Sequence, residues 1–253
     1  MSKSTLAGNI FGSDVDVFVS EKQEIYMMVL AFRMNESWWS SDPIVRSRVI
    51  QRLNTLLSGL KDRIIVAKLY TSLRWDSDFL LWLAAKQPEI LGEVKLDFNT
   101  VLMGLGSPSY SMLSLYEESP YLRPGMDLED TLKGEPSKYF VAYPMSKDPE
   151  WYLLDFDERK NILAEHIGIA RTHPESKGIR SYTTYSYGLG DQEFVVMYEV
   201  DSLAAWSHVT AKLREAKARK WIVNEEPIFV GVYAGDFSFL EFKDDGRTST
   251  PII

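Results

Sequence analysis

Cysteine is absent from the 253 residues of this chain, and histidine occurs only three times. The lack of cysteine excludes disulfides, thiolate zinc sites, iron–sulfur clusters and cysteine nucleophiles. Three histidines are too few for us to expect a metal site built from several imidazoles. These two scarcities remove most thiol enzymes and several large classes of metalloprotein from consideration.

Long apolar runs and basic tracts are also missing. No stretch reaches the roughly 18 uninterrupted apolar residues that a membrane-spanning helix needs. The opening residues, MSKSTLAGNIFGSD, lack the basic-then-apolar pattern of an export signal. The net charge of −8 and the pI near 5.1 argue against nucleic acid or an anionic membrane as the main partner. We therefore expect a cytoplasmic protein without a nucleic-acid or membrane partner.

Aromatic residues are the abundant class, with 7 Trp, 13 Tyr and 12 Phe. The remaining composition, 45% hydrophobic and 25% charged, is that of a globular protein long enough to bury a sizeable core. Aromatic side chains suit a large planar ligand, but they are also good core material. Composition leaves both interpretations open.

The first half of the chain shows strand and helix patterns in alternation after a small, polar arm at residues 1–20. Predicted elements are strands at 24–34 and 63–74, helices at 44–60 and 79–86, and a strand at 109–116. The second of these helices is predicted to follow a polar capping segment, to begin at Phe79 and to be ended by Pro88.

The second half repeats this order after residues 119–136, which contain three prolines and two glycines and are predicted to form a linker. Its predicted elements are strands at 139–147, 179–187, 193–200 and 228–233, and helices at 155–171 and 202–220. Two strand–helix–strand units in series are the plan of a ferredoxin-like module. We therefore predict an α+β fold with ferredoxin-like modules at 20–118 and 137–240.

His166 is the histidine with the clearest functional interpretation. It lies among apolar residues of the predicted 155–171 helix, where it is either a core residue or a metal ligand. A ligating histidine needs an acceptor on its second ring nitrogen, and Glu215 is a candidate, or else a solvated helix charge. His173 and His208 lie in a polar turn and a mid-helix position, and we expect both to be structural or exposed.

The predicted strand 139–147 carries a second functional pattern. Alternation places Tyr143, Met145 and Lys147 on one face, so that a phenol, a thioether and an ammonium follow one another. A lysine on a buried strand face is unusual, although a core strand whose last lysine turns to solvent also fits the spacing.

Several motifs in order resemble the chlorite dismutase superfamily. They are Tyr143-Pro144-Met145-Ser146-Lys147, Glu150-Trp151-Tyr152, His166 followed by Gly168 and Arg171, Tyr187-Gly188-Leu189-Gly190-Asp191-Gln192-Glu193-Phe194, and the upstream Ser119-Pro120-Tyr121. The resemblance covers roughly residues 119–232 and is weaker in the first half, where the family has a degenerate copy of the same module. Two glycines that the family pattern expects after the histidine are Ile167 and Ala170 here.

The resemblance implies a dimeric α+β barrel that binds heme, usually as a homopentamer. It implies that His166 is the proximal iron ligand, that Lys138 and Glu215 stand at the positions of its partners, and that Trp151 is an aromatic residue near the heme.

Within the superfamily, the Tyr143, Met145 and Lys147 pattern resembles that of coproheme decarboxylases. These enzymes convert iron coproporphyrin III to heme b by peroxide-dependent oxidative decarboxylation of two propionates. The resemblance implies that Tyr143 forms the radical, that Lys147 holds the substrate carboxylate as a point charge, and that Met145 packs against the edge of the macrocycle.

Three alternatives stay open at this point. The first is a true chlorite dismutase, which turns chlorite into chloride and dioxygen and carries a distal arginine on the strand after the proximal helix. Counting back from Gly188 by the family spacing gives Ser181 at that position, with Arg180 beside it, so the distal residue is one of these two. The second is a heme-binding protein without enzymatic activity, and the third is a related barrel without cofactor.

Overall fold

The computed structural model describes residues 24–120, 122 and 125–241. The predicted polar arm at 1–20 and Tyr121 of the resemblance lie outside these residues. The elements of the first half are β1 (Ile25–Met34), α1 (Glu36–Trp39), α2 (Pro43–Gly59), β2 (Val66–Ser72), β3 (Phe79–Ala85), α3 (Pro88–Val101) and β4 (Gly106–Tyr116).

The second half follows a short helix, α4 (Leu128–Leu132), that lies within the predicted linker. Its elements are β5 (Tyr139–Lys147), α5 (Glu150–Leu153), α6 (Phe156–Thr172), β6 (Arg180–Tyr185), β7 (Phe194–Val200), α7 (Leu203–Leu213), β8 (Ile222–Asn224) and β9 (Phe229–Ala234). Short 3-10 turns lie at Pro174–Ser176, Lys217–Trp221 and Phe237–Leu240.

Eight of these strands form a closed antiparallel barrel. The first half has the strand order β4-β1-β3-β2 and the second half the equivalent order β6-β7-β5-β9. The β2–β9 and β4–β6 pairings join the two sheets, and β8 pairs with the end of β5. The predicted α+β fold with two ferredoxin-like modules is thus confirmed.

The barrel interior is a core that both halves share. Trp82 of β3 stacks on Phe140 of β5 at 5.2 Å, and Phe140 stacks on Tyr70 of β2 at 4.7 Å between ring centroids. Because these rings come from both sequence halves, each half contributes only part of the core inside the barrel.

A buried carboxylate also links the halves inside the barrel. Glu199 of β7 has no exposed surface. Its oxygens accept hydrogen bonds from Lys68 Nζ and from the Tyr182 hydroxyl, both at 2.9 Å, and form an ion pair with Arg180 at 3.0 Å. These partners replace the water that the carboxylate loses on burial. The first half contributes Lys68 and also Tyr70, whose hydroxyl donates to Glu199 at 3.4 Å.

Two predicted helices differ from the structure. The predicted helix at 79–86 is the strand β3, and Pro88 begins the helix α3 instead of ending one. All seven residues of β3 are buried, so the segment has no polar face, and a continuous apolar run does not distinguish a strand from a helix. The predicted helix at 202–220 ends at Leu213, and the chain continues through a turn into the 3-10 segment.

The strand β5 has the predicted bounds and the predicted alternation. Phe140 and Ala142 belong to the apolar cluster inside the barrel, whereas Met145 and Tyr143 belong to a cluster on the outer face. Helices α6 and α7 cover this outer face, as α2 and α3 cover the corresponding face of the first half. None of the helices in the described ranges is long and apolar enough to cross a membrane.

Candidate functional site

A cavity of about 310 Å³ lies between the outer face of the second-half sheet and helices α6 and α7. Its size is in the range of small-molecule sites. Most of its wall is apolar and comes from β5, β7, β8 and the two helices. The apolar wall residues are Met145, Ile167, Ala170, Ile179, Val196, Trp206, Val209, Leu213 and Ile222.

His166 is on this wall, in the second half of α6. The helix carries Asp157 and Glu158 in its first turn and Arg171 in its last, an arrangement that suits the helix dipole. Burial lowers the pKa of His166, and the Lys147 charge lowers it further, while Glu165 and Glu225 oppose the shift. Within the described part of the chain, no hydrogen bond occupies a ring nitrogen of His166. A neutral imidazole facing a cavity is suited to ligate a metal.

Glu225 is the carboxylate on the cavity wall, whereas Glu215 is not. The Glu225 side chain is only 15% exposed and forms ion pairs with Arg214, at 2.5 Å, and with Arg219. Glu215 pairs with Lys212 at 2.6 Å, and 66% of its side chain is exposed. The turn after α7 directs Glu215 to solvent, so the structure does not bring this predicted partner to His166.

Tyr143 faces the cavity together with Tyr198 of β7. Their rings stack at 6.2 Å between centroids, and burial together with the neighbouring Tyr143 phenol raises the pKa of Tyr198. Trp206 of α7 also packs against Tyr198, at 4.1 Å between ring centroids. The strand β5 thus presents Tyr143 and Met145 to the space that His166 also faces.

Lys147 lies next to this space but does not line it. The residue is 7% exposed, and its ammonium lies 3.3 Å from the centroid of the Trp151 ring, a cation–π contact. Burial lowers the pKa of Lys147 to about 8, with Glu193 opposing and Arg159 adding to the shift. Trp151 is itself buried against Trp221 and belongs to a cluster beside the cavity.

The two candidates for the distal residue point in opposite directions. Ser181 lines the cavity, whereas Arg180 turns to the barrel interior, where it pairs with Glu199. Alternation along β6 is the cause, because neighbouring strand residues face opposite sides of a sheet. Lys138 is also outside the cavity wall, since its ammonium lies over the Tyr139 ring on the exposed surface.

Several cavity residues were not predicted from the sequence. They are Tyr198, Trp206, Thr210, Arg171, Arg214, Arg219 and Glu225. Tyr198 has a detectable signal, because alternation on a strand next to β5 places it on the Tyr143 side. Arg214, Arg219 and Glu225 lie after α7, where neither helix nor strand periodicity applies. Ile167 and Ala170, which replace the expected glycines, also line the cavity.

The fold is that of a dimeric α+β barrel, in which the two halves of one chain take the place of two subunits. Its second half contains a cavity with one histidine on its wall. A family model described as chlorite dismutase matches residues 46–234. A coproheme decarboxylase from Mycolicibacterium smegmatis is 31% identical over 212 residues, covering 81% of this chain and 88% of that protein. The chain therefore belongs to the chlorite dismutase family.

Solved structures agree on the fold. A structure provisionally described as a chlorite dismutase is 44% identical, with a TM-score of 0.80 over 86% of this chain and 98% of that one. A heme-binding protein from Thermus thermophilus has a TM-score of 0.74 at 19% identity, covering 83% and 90% of the two chains. A variant of chlorite dismutase from Candidatus Nitrospira defluvii has a TM-score of 0.75 at 19% identity, covering 88% and 96%.

Proposed function

We propose that this protein is a coproheme decarboxylase, which converts iron coproporphyrin III to heme b with peroxide. The observation that carries the proposal is the placement of Tyr143 and Met145 on the wall of the cavity that His166 faces. The 31% identity to the coproheme decarboxylase from Mycolicibacterium smegmatis supports it.

The residues of the cavity fit an iron porphyrin. His166 offers a neutral ring with nitrogen atoms that no described residue occupies, which suits an axial ligand. The apolar wall matches the faces of a macrocycle, and the buried Thr210 hydroxyl has no hydrogen-bond partner among the described residues. Glu225 is the carboxylate we assign to the His166 ring, in place of Glu215, because its charge acts on that ring from the cavity side.

Three arginines provide charge for the carboxylates of the substrate. Arg171, Arg214 and Arg219 all line the cavity, and Glu225 is the acidic residue among its lining residues. Guanidinium groups bind carboxylates in a bidentate manner, which fixes both position and orientation. Lys147 stays a proposed further contact, which requires its ammonium to leave the Trp151 ring.

An iron porphyrin bound here supplies, together with peroxide, the oxidising equivalents of the reaction. Each propionate side chain reacts with one hydrogen peroxide and one proton to give a vinyl group, one carbon dioxide and two waters. Tyr143 provides a phenol whose hydrogen atom can be lost on oxidation and regained from a propionate carbon. The apolar wall formed by residues such as Val196 and Leu213 keeps water from the reacting side chain.

Chlorite dismutase activity is the second candidate, favoured by the structure that is 44% identical and provisionally described as such. It requires a distal group that we do not assign, because Arg180 pairs with the buried Glu199 on the other side of β6. Heme binding without catalysis is a third interpretation of the same cavity. A cytoplasmic location and a homopentameric assembly remain predictions.

The deciding experiment loads the purified protein with iron coproporphyrin III and titrates it with peroxide while the porphyrin mass is followed. Two successive losses of one carboxyl group, ending at heme b, are expected. A histidine-ligated spectrum without a mass change would reject the decarboxylase. Oxygen release from chlorite by the heme-loaded protein would then select the dismutase, and its absence would select heme binding alone.

A further inference from the structure

Tyr152 and Tyr187 form a hydrogen-bonded pair of phenols that the proposed reaction has not used. The Tyr152 hydroxyl donates to Glu193 Oε2 at 2.7 Å, and its oxygen lies 3.0 Å from the hydroxyl oxygen of Tyr187. A phenol carries one hydrogen, so the hydrogen between the two tyrosines belongs to Tyr187. The hydrogen bonds therefore run in one direction, from Tyr187 through Tyr152 to the carboxylate of Glu193.

The carboxylate of Glu193 also has a backbone contact that both halves of the chain share. Its Oε2 accepts a hydrogen bond from the Lys147 N–H at 2.7 Å, just as Asp78 Oδ2 accepts one from the Met34 N–H at 2.6 Å. The N–H of each acid in turn donates to the carbonyl two residues before that strand residue. An acid that holds the end of the first strand of each half is thus part of the scaffold.

The two phenols are what the second half adds to this arrangement. Trp39 stands in the first half where Tyr152 stands in the second, at the same distance after the strand residue that contacts the acid. The strand register likewise places Leu73 where the second half has Tyr187. The scaffold therefore does not require a phenol at either position, and packing alone does not explain the two hydroxyl groups.

Aromatic rings connect the phenol pair to the cavity wall. Tyr187 stacks on Tyr185 at 6.1 Å between centroids, and Phe194 packs against these two rings at 5.3 and 5.7 Å. Tyr185 and Phe194 belong to the outer-face cluster that also contains Met145 of the cavity wall. Because aromatic rings in such proximity pass single electrons readily, an oxidant in the cavity can draw an electron from Tyr152.

Proton transfer decides which phenol along this path holds the oxidation. A phenol that loses an electron becomes strongly acidic, and its oxidised form is stabilised when a base takes the proton. Tyr152 has a carboxylate within hydrogen-bond reach for this purpose. The oxygen that faces the Tyr187 hydrogen belongs to another phenol, which is a much weaker base.

We propose that Tyr152 is a redox-active tyrosine: it gives one electron, through Tyr187 and Tyr185, to an oxidant in the cavity, and its proton moves to Glu193. In this step the O–H bond of Tyr152 breaks, Glu193 becomes a carboxylic acid, and the oxidant is reduced by one electron. The inference rests on the proposed function for the oxidant, an iron porphyrin oxidised by peroxide. Oxidising equivalents that no propionate consumes thus leave the cavity toward the surface, where Tyr187 is exposed.

The test loads the protein with heme b, the product of the proposed reaction, and adds one equivalent of hydrogen peroxide. Electron paramagnetic resonance of rapidly frozen samples measures the radical, and ring-deuterated tyrosine identifies its tyrosyl part. Tyr152→Phe removes the hydroxyl and keeps the ring, whereas Glu193→Gln keeps an acceptor for the Lys147 N–H and removes the base. Both variants should lose most of the tyrosyl signal. Tyr233→Phe is the matched control with the wild-type signal, since it removes an exposed phenol of β9 outside the aromatic path.

A tyrosyl signal of wild-type intensity in Tyr152→Phe or in Glu193→Gln would overturn the proposal, even if the variant is less stable. If Glu193→Gln does not fold, Tyr187→Phe replaces it, because it interrupts the path and should also lose the signal. A full signal in that variant would contradict the path.

The proposed function and this inference fail in different ways. A protein that forms the Tyr152 radical with heme b but does not decarboxylate iron coproporphyrin III would reject the proposed function alone. If no porphyrin binds, hexachloroiridate(IV) serves as the one-electron oxidant for the porphyrin-free protein, and it meets the exposed Tyr187 from solution. The same variants and the same control then decide, with the same expected losses of signal.

Discussion

The two halves of this chain have the same fold but differ in how completely side chains fill the space between sheet and helices. In the first half, α2 and α3 press an apolar cluster against the sheet, and Leu30, Phe32 and Leu53 are fully buried in it. In the second half, the corresponding space between the sheet and α6 and α7 contains a cavity of about 310 Å³. The same scaffold thus serves as a packed core on one side and as a candidate site on the other.

Matching positions show which substitutions open the space. Trp151 follows Trp38 at the same distance along the chain that separates the other matched pairs of the two halves. Helices α2 and α6 have the same length of 17 residues. At this separation, three apolar residues of the first half are replaced by groups that can ligate, transfer hydrogen or carry charge, and a fourth, Phe32, is replaced by the apolar Met145. The matched pairs are Leu53 with His166, Leu30 with Tyr143, Phe32 with Met145 and Met34 with Lys147.

The comparison shows that tight packing and the candidate site lie in different halves of the chain. Burying aliphatic side chains stabilises the first half, whereas the second half buries an ammonium and lines a cavity with two half-buried phenols. Residues of both halves pack together in the barrel interior.

Tyr143→Phe should have the largest effect. It removes the hydroxyl and keeps the ring, so we expect decarboxylation to slow by about a thousandfold, in the range for a group that meets the reacting atoms. Single-turnover mass spectrometry of the porphyrin measures the rate. Porphyrin affinity is the control and should stay within about twofold, because the ring still fills its place on the wall. A variant that turns over at the wild-type rate would exclude Tyr143 from the reaction.

His166→Leu copies Leu53 and should weaken iron porphyrin binding by about a hundredfold, since loss of metal-site contacts has effects of this order. The absorption spectrum of the loaded protein should also lose the features of histidine ligation. His173→Leu is the control, because His173 is a turn residue outside the cavity wall. Identical spectra for wild type and His166→Leu would remove His166 as the ligand.

Leu53→Ala and His166→Ala test the packing side of the comparison. Leu53 is fully buried in a closed cluster, so its truncation should lower the free energy of unfolding by about 2–5 kcal/mol. His166 faces a cavity, and its truncation should cost less than about 1 kcal/mol in the protein without porphyrin. Urea unfolding of both variants measures the difference. Equal losses would mean that the two halves are packed alike.

Lys147→Met copies Met34 and should raise the free energy of unfolding by about 1–3 kcal/mol at pH 7, because burial lowers the pKa of Lys147 from 10.5 to about 8. Between these pH values the unfolded chain binds more protons than the folded one, so wild-type stability rises with pH. The gain of the variant should therefore be full below about pH 8 and vanish above about pH 10.5. Unfolding measured at pH 7 and pH 10 checks this, and a gain independent of pH would point to packing alone.

Sequence patterns were sufficient to predict most of the fold and part of the site. The bounds of β5 and its alternation agree with the prediction, because a half-buried strand has a clear period of two. The prediction of a helix at 79–86 is wrong, because a strand buried on both faces has no such period. The resemblance led to the family, which the match over residues 46–234 shows.

Within the site, the structure places some of the residues singled out from the sequence on the cavity wall and others beside it or away from it. His166, Tyr143 and Met145 line one cavity, as helix and strand periodicity allow, whereas Lys147 of the same strand face lies beside it. Ser181, which follows from the family spacing, also lines the cavity. The prediction of Glu215 depends on its distance along the chain, and the early end of α7 turns this residue to solvent. Glu225 lies beyond that turn, where chain distance carries no information about direction.

A crystal structure of the protein loaded with iron coproporphyrin III tests the central claim most directly. The account predicts one macrocycle per chain, in the second-half cavity, with a His166 ring nitrogen on the iron and the Tyr143 hydroxyl facing a propionate. A macrocycle bound against α2 and α3, or iron ligated by a residue other than His166, would contradict it.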